Sequence, residues 1–141
     1  MIQELMIINQ AGIALFYHNF INSDNLNDEQ TLASYFDIIC RFIKREFKES
    51  LKMLTLDSFK FFFYTHKSNY HLVLKCDNKD IDRNILESFS ERTINTFLEK
   101  YNHVLENFNG EISLFKSFSV QILEILESTF KGQKKDLLLE H

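Results

Sequence analysis

The chain has 141 residues, of which 45% are hydrophobic and 26% charged, and it carries a net charge of −4. That length fits one domain with a core that buries about two thirds of the unfolded surface, and the composition speaks against a disordered chain. The negative balance argues against nucleic acid as a partner, and no run approaches the roughly 18 apolar residues of a transmembrane helix.

Residues 2–9 and 13–20 are nearly continuous apolar runs joined by Gln10, Ala11 and Gly12, a short Gly-containing connection that predicts a hairpin. The opening MIQELMIINQ lacks the basic head of a secretory signal, so a cytoplasmic location is expected. After a polar loop at 22–27, the first helix is expected to begin with Asn27 as its cap and Gln30 as the capping-box partner, and to reach about Glu49. Leu32, Phe36, Ile39, Ile43 and Phe47 recur at steps of three or four, with Tyr35, Ile38 and Phe42 as a second stripe beside them. At about 100° per residue the two stripes span roughly 200°, which assigns Ser34, Asp37, Arg41, Lys44, Arg45 and Lys48 to solvent. Covering one face of a sheet needs a stripe of only about 100°, so the surplus predicts a partner on the other flank.

Residues 51–56 read as a strand, Asp57 and Ser58 as a turn, and 59–65 as a strongly aromatic strand. Lys67, Ser68 and Asn69 close a hairpin to a strand over 70–76, in which Tyr70, Leu72, Leu74 and Cys76 point one way and His71, Val73 and Lys75 the other. Asp80 is the expected cap of a long helix to Phe108 with Leu86, Phe89, Thr93, Phe97, Tyr101 and Val104 on its apolar stripe, stopped by Asn109 and Gly110. Ser113 is expected to cap a last helix that buries Phe115, Phe118, Ile122 and Ile125. With no Pro among 141 residues, where ordinary usage supplies about seven, all these breaks must come from Gly, Asn, Asp and Ser.

The order is strand, strand, helix, three strands, helix, helix. It predicts an α+β sandwich with a five-stranded, mostly antiparallel sheet, one helix on one face and two on the other. This β-β-α-β-β-β-α-α order resembles the longin-like domain family of the longin and roadblock superfamily. The stretch ELMIINQAGIALFYH is similar to the first hairpin of such domains, in particular that of the signal-recognition-particle receptor alpha subunit. FKFFFYTHKSNYHLVLKC looks like the family's fourth and fifth strands. Roadblock domains usually open with a helix, so the longin branch is the closer match. The resemblance implies a domain over 1–130; from the residues themselves, 131–138 read as a flexible tail, and Leu139, Glu140 and His141 resemble the junction of a C-terminal histidine tag. The resemblance also implies a dimerising protein-interaction platform that pairs with itself or another longin or roadblock domain. Such a platform would bind or regulate a small Ras-like GTPase or a vesicle-trafficking adaptor complex, with any peripheral membrane association made through its partners.

The residues suggest no enzyme, cofactor or metal centre. His66 and His71 could meet across the hairpin turn, but they lack further ligands at recognisable spacing. Asp77, Asp80 and Asp82 lack the Gly and Glu of a calcium loop and suit helix capping instead. Three glycines supply no phosphate-cradling loop, and no motif pairs a nucleophile with a base. Cys40 and Cys76 read as reduced, buried thiols. Arg41, Lys44, Arg45, Lys48 and Lys52 gather near the end of the first helix, where cations complement its dipole or face an acidic partner or lipid. The expected contact surface comprises Tyr35, Ile38 and Phe42 as apolar anchors, Arg41 and Arg45 beside them, and Met53 and Thr55 on the following strand. The alternative is a PAS-like sensory or carrier domain with a small apolar ligand between sheet and helix.

Overall fold

The computed structural model describes residues 1–22 and 28–131. The expected polar loop after Asn22 and, past Lys131, the expected tail and tag remnant lie outside these residues. Two apolar strands, β1 (Ile2–Ile8) and β2 (Ala14–Asn19), are followed by α1 (Glu29–Phe47). Next come β3 (Met53–Thr55), β4 (Phe59–Thr65) and β5 (His71–Asp77), then α2 (Arg83–Lys100), α3 (Asn102–Glu106), a 3-10 turn (Ile112–Phe115) and α4 (Phe118–Thr129). The strands form one antiparallel sheet in the order β2-β1-β5-β4-β3; β1 lies inside it, as near-continuous hydrophobicity suits, whereas β2, equally apolar, takes an edge. The architecture is the α+β sandwich with a five-stranded sheet expected from the order of elements.

Each turn has a local cause. The Asn9 side chain accepts from the backbone N–H groups of Ala11 and Ile13, and Gly12 takes a φ of +78°, which favours a residue without a Cβ. The β4–β5 turn is closed by hydrogen bonds from His66 N–H to the Tyr70 carbonyl and from Asn69 N–H to the His66 carbonyl.

Several helix ends differ from expectation. Asn27 lies outside the described residues, and Asp28 caps α1 by accepting from Gln30 and Thr31 N–H. Gln30 turns away from the cap because its amide has a better partner: it accepts from Ala14 N–H and donates to the Ala14 carbonyl, both at 2.9 Å. Asp82, not Asp80, caps α2 through Asn84 N–H. The long helix breaks at Tyr101, whose ring packs against Phe97 and Phe115 and whose hydroxyl lies 3.0 Å from Ser117 Oγ. Gly110, with φ +98°, therefore serves the turn into the 3-10 segment and not the end of the helix. Ser113 bonds Glu111 instead of capping, because the 3-10 turn occupies its position and α4 starts five residues later.

The two sheet faces are covered unequally. On one, Leu72, Leu74, Cys76 and Phe62 meet α2, α4 and the 3-10 turn in a large cluster containing the buried Phe89, Phe97, Phe115, Phe118, Ile122 and Ile125. On the other, α1 alone sets Ala33, Phe36 and Cys40 against Met6, Ile8, Phe63 and Val73. Cys40 and Cys76 are buried free thiols, and burial raises them to about 11 and about 12, so both stay protonated.

Phe97 touches the rings of Phe16, Tyr101, Phe115 and Phe118 and so joins β2 to all three elements above it. Phe97→Ala should cost about 3–5 kcal/mol in urea unfolding, against less than about 0.5 kcal/mol for the exposed Val120→Ala. Equal losses would show that the aromatic cluster does not hold the three-helix layer.

Candidate interaction surface

α1 is amphipathic twice over. Ala33, Phe36 and Cys40 face the sheet, while Tyr35, Ile38 and Phe42 are 60%, 60% and 46% exposed. At about 100° per residue those two sets point roughly 180° apart, so the exposed trio forms the back of the helix and not the margin of its buried stripe. Phe47, 61% exposed, extends the surface toward the end of the helix, its ring 6.2 Å from that of Phe42. Partly buried Leu32, Ile39 and Ile43 join back to front along one flank.

The opposite flank is polar, and it departs from the sequence reading. Asp37, assigned to solvent, is buried, its Oδ1 3.2 Å from His71 Nε2 and its Oδ2 2.7 Å from the Arg41 guanidinium. His71 is also buried, and its Nδ1 lies 3.0 Å from Thr65 Oγ1. His66 and His71 have separate partners, since the His66 ring folds onto Ser68, 2.6 Å from its hydroxyl. Burial holds the His71 imidazole below its ordinary range more strongly than the Asp37 carboxylate raises it. The ring is therefore neutral at pH 7, donating from Nε2–H to Asp37 and accepting from the Thr65 hydroxyl at Nδ1. A Cβ on Gly12 would stand 3.2 Å from Asp37 Oδ2, a second reason for glycine there. Strand alternation carried the available signal, because it placed His71 beside Val73 on the face that α1 covers, where a polar side chain needs a partner.

Arg41 donates to the Gln10 carbonyl as well as to Asp37. Together with Lys44 and Arg45 it walls a groove of about 720 Å³ facing His66, Lys67 and Asn69 of the β4–β5 turn. Gln10, also in its lining, donates from Nε2 to the Ser68 carbonyl of that turn. Lys48 is taken up by the helix end, since its N–H bonds the Lys44 carbonyl and its Nζ the Arg45 carbonyl. Met53 and Thr55 do not join the α1 surface. Met53 packs into the large cluster beneath the sheet, and Leu54 is the β3 residue that turns toward the α1 side.

Asp77 pairs with the Met1 ammonium at 2.9 Å, and Asp82 is committed to its cap. Among the described residues no three His, Cys, Asp or Glu side chains converge as metal ligands. No described helix is long and apolar enough to cross a membrane.

No family model matches the chain, and no curated protein matches it either. Among solved structures, the gliding protein MglB from Thermus thermophilus is similar with a TM-score of 0.48 at 13% sequence identity. The match covers 54% of this chain and 61% of that one.

Removing the Asp37 carboxylate strands a buried imidazole N–H, so Asp37→Ala should lose about 2–3 kcal/mol in chemical denaturation. The pH dependence has a definite sign. The folded His71 binds its proton less readily than the unfolded one, so its contribution is complete above about pH 6.5 and is lost as pH falls toward the lower folded value. His18, also lowered by burial, acts in the same direction. His71→Gln should therefore flatten, but not abolish, the decline in unfolding free energy below about pH 6.5. An unchanged slope would place the His71 titration outside the folding equilibrium.

Proposed function

We propose that this chain is a non-catalytic protein-interaction platform of longin type. In this reading it pairs with a second copy or a related longin or roadblock domain through the back of α1. The paired surface engages a small Ras-like GTPase or a trafficking adaptor. One observation supports the reading above others: Tyr35, Ile38 and Phe42 lie exposed together on the helix face opposite the sheet. Burying a large apolar side chain is worth roughly 1.5–3 kcal/mol, and a row of three on one helix face, flanked by Arg41 and Arg45, has the make-up of an interface core with a charged rim. The element order that resembles longin domains supports the choice of partner class, which is an argument from fold analogy.

The carrier alternative needs space between sheet and helix. There, the cavity bordered by Met6, Leu32, Phe36, Phe61 and Val73 holds about 20 Å³, room for about one water molecule, and the groove of about 720 Å³ at the helix flank is lined by Arg41, Lys44, Arg45 and Lys67, which suit an anion and not an apolar ligand.

Phe42→Glu places a charge at the centre of the proposed contact without touching the core. Light scattering should report a paired wild type and a folded, monomeric variant whose melting temperature is lower only by the concentration-dependent stabilisation that pairing adds. Equally monomeric proteins would rule out pairing through α1.

A further inference from the structure

The groove beside α1 carries a charge pattern that apolar docking along the helix back leaves unused. Arg41, Lys44, Arg45 and Lys67 line it against a single carboxylate, Asp37, which is already paired with Arg41 and hydrogen-bonded to His71. Lys44 and Lys67, one on each wall, have no ion-pair partner among the described residues, whereas Arg45 leans on Glu46 at 2.9 Å. In a chain of net charge −4, cations gathered in a concavity focus a positive potential that selects anions. The lining also includes Cys40 and Leu51, which offer apolar contact.

A compact phosphate is best held by converging backbone N–H groups. Here the positive charges sit on long side chains of two separate walls, an arrangement that fits carboxylates spaced along an extended chain. At about 720 Å³ the groove is large enough for several side chains. The Arg45 guanidinium lies 5.9 Å from the Phe42 ring, so groove and apolar stripe meet.

We propose that this groove binds an acidic peptide segment, interspersed with aliphatic residues, of the partner protein that docks on α1. Carboxylates of the segment pair with Lys44 and Lys67, and an aliphatic side chain rests on Cys40 and Leu51. The proposal rests on the reading of α1 as a docking helix and adds the chemistry of the partner.

The test is fluorescence anisotropy with a fluorescein-labelled peptide of alternating Glu and Leu. Wild type should bind it saturably, with affinity falling as salt rises and dropping about tenfold or more in Lys44→Glu/Lys67→Glu. The matching Gln and Leu peptide should bind wild type no better than the acidic peptide binds that variant. Both lysines are exposed, so the melting temperature serves as the folding control; if the double reversal unfolds, Lys44→Gln/Lys67→Gln should show a smaller loss. Equal affinity in the variants overturns the proposal. So does displacement of the peptide by pyrophosphate at equal concentration, which marks a phosphate site, or binding confined to phosphatidylserine vesicles, which marks a lipid surface. Tyr35→Glu, outside the groove, should abolish pairing and leave peptide binding intact. A wild type that pairs but ignores the peptide overturns the groove alone, whereas one that binds the peptide and never pairs overturns the pairing and keeps the groove.

Discussion

One helix on a five-stranded face has little apolar contact to fix its rotation, because hydrophobic attraction has no direction. α1 is oriented instead by polar ties at three points along its length. Gln30 grips Ala14, Asp37 holds His71, and Arg41 reaches the Gln10 carbonyl. The Asp37–His71 bond is buried and so costly when broken, while the Gln30 pair is partly buried and the Arg41 bond exposed; together they favour one arrangement. With that rotation set, Ala33, Phe36 and Cys40 must face inward, and Tyr35, Ile38 and Phe42 must face out. The same ties bring the cations of α1 beside the β4–β5 turn. Helix face and groove are therefore two products of one constraint.

The far side of the sheet is built differently. There α2, α4 and the 3-10 turn enclose an aromatic cluster in which Phe97, Phe115, Phe118 and Phe130 are wholly buried. Such packing concentrates stability away from the α1 layer, which is thinner and rests on fewer contacts. The layer that carries the candidate surface is thus the one with less of the core behind it, a division in which surface changes on α1 leave the fold intact.

Most of the architecture could be read from periodicity. Alternation gave β5 and the face each of its residues takes, aromatic content marked β4 without its faces, and steps of three and four marked the buried stripes of α2 and α4. What escaped the reading was tertiary in origin. Nothing local marks Tyr101 as a break, because its ring is fixed by Phe115 and its hydroxyl by Ser117, both beyond the helix. Asp37 looked like an ordinary solvent residue because its partner is 34 positions away. Gln30 matched a capping pattern but had a strand to bind. Met53 and Thr55 were expected near the α1 anchors with no face assigned, because a strand of three residues shows too little alternation to settle its phase, and a shift of one residue exchanges the two faces. Of the expected surface, the apolar trio and both arginines lie on α1 beside one another, while Met53 and Thr55 belong to the other side.

The bond between Gln30 and Ala14 reaches beyond holding a helix. β2 is an outer strand, and such strands offer free peptide groups on which another chain can polymerise. The Gln30 carboxamide supplies both a donor and an acceptor to one residue, as a neighbouring strand would, and so blocks that template at its first step. Hydrolytic loss of the amide nitrogen would leave a carboxylate opposed to the Ala14 carbonyl. Closure of this margin of the sheet thus depends on one carboxamide keeping both of its hydrogen-bonding roles at once.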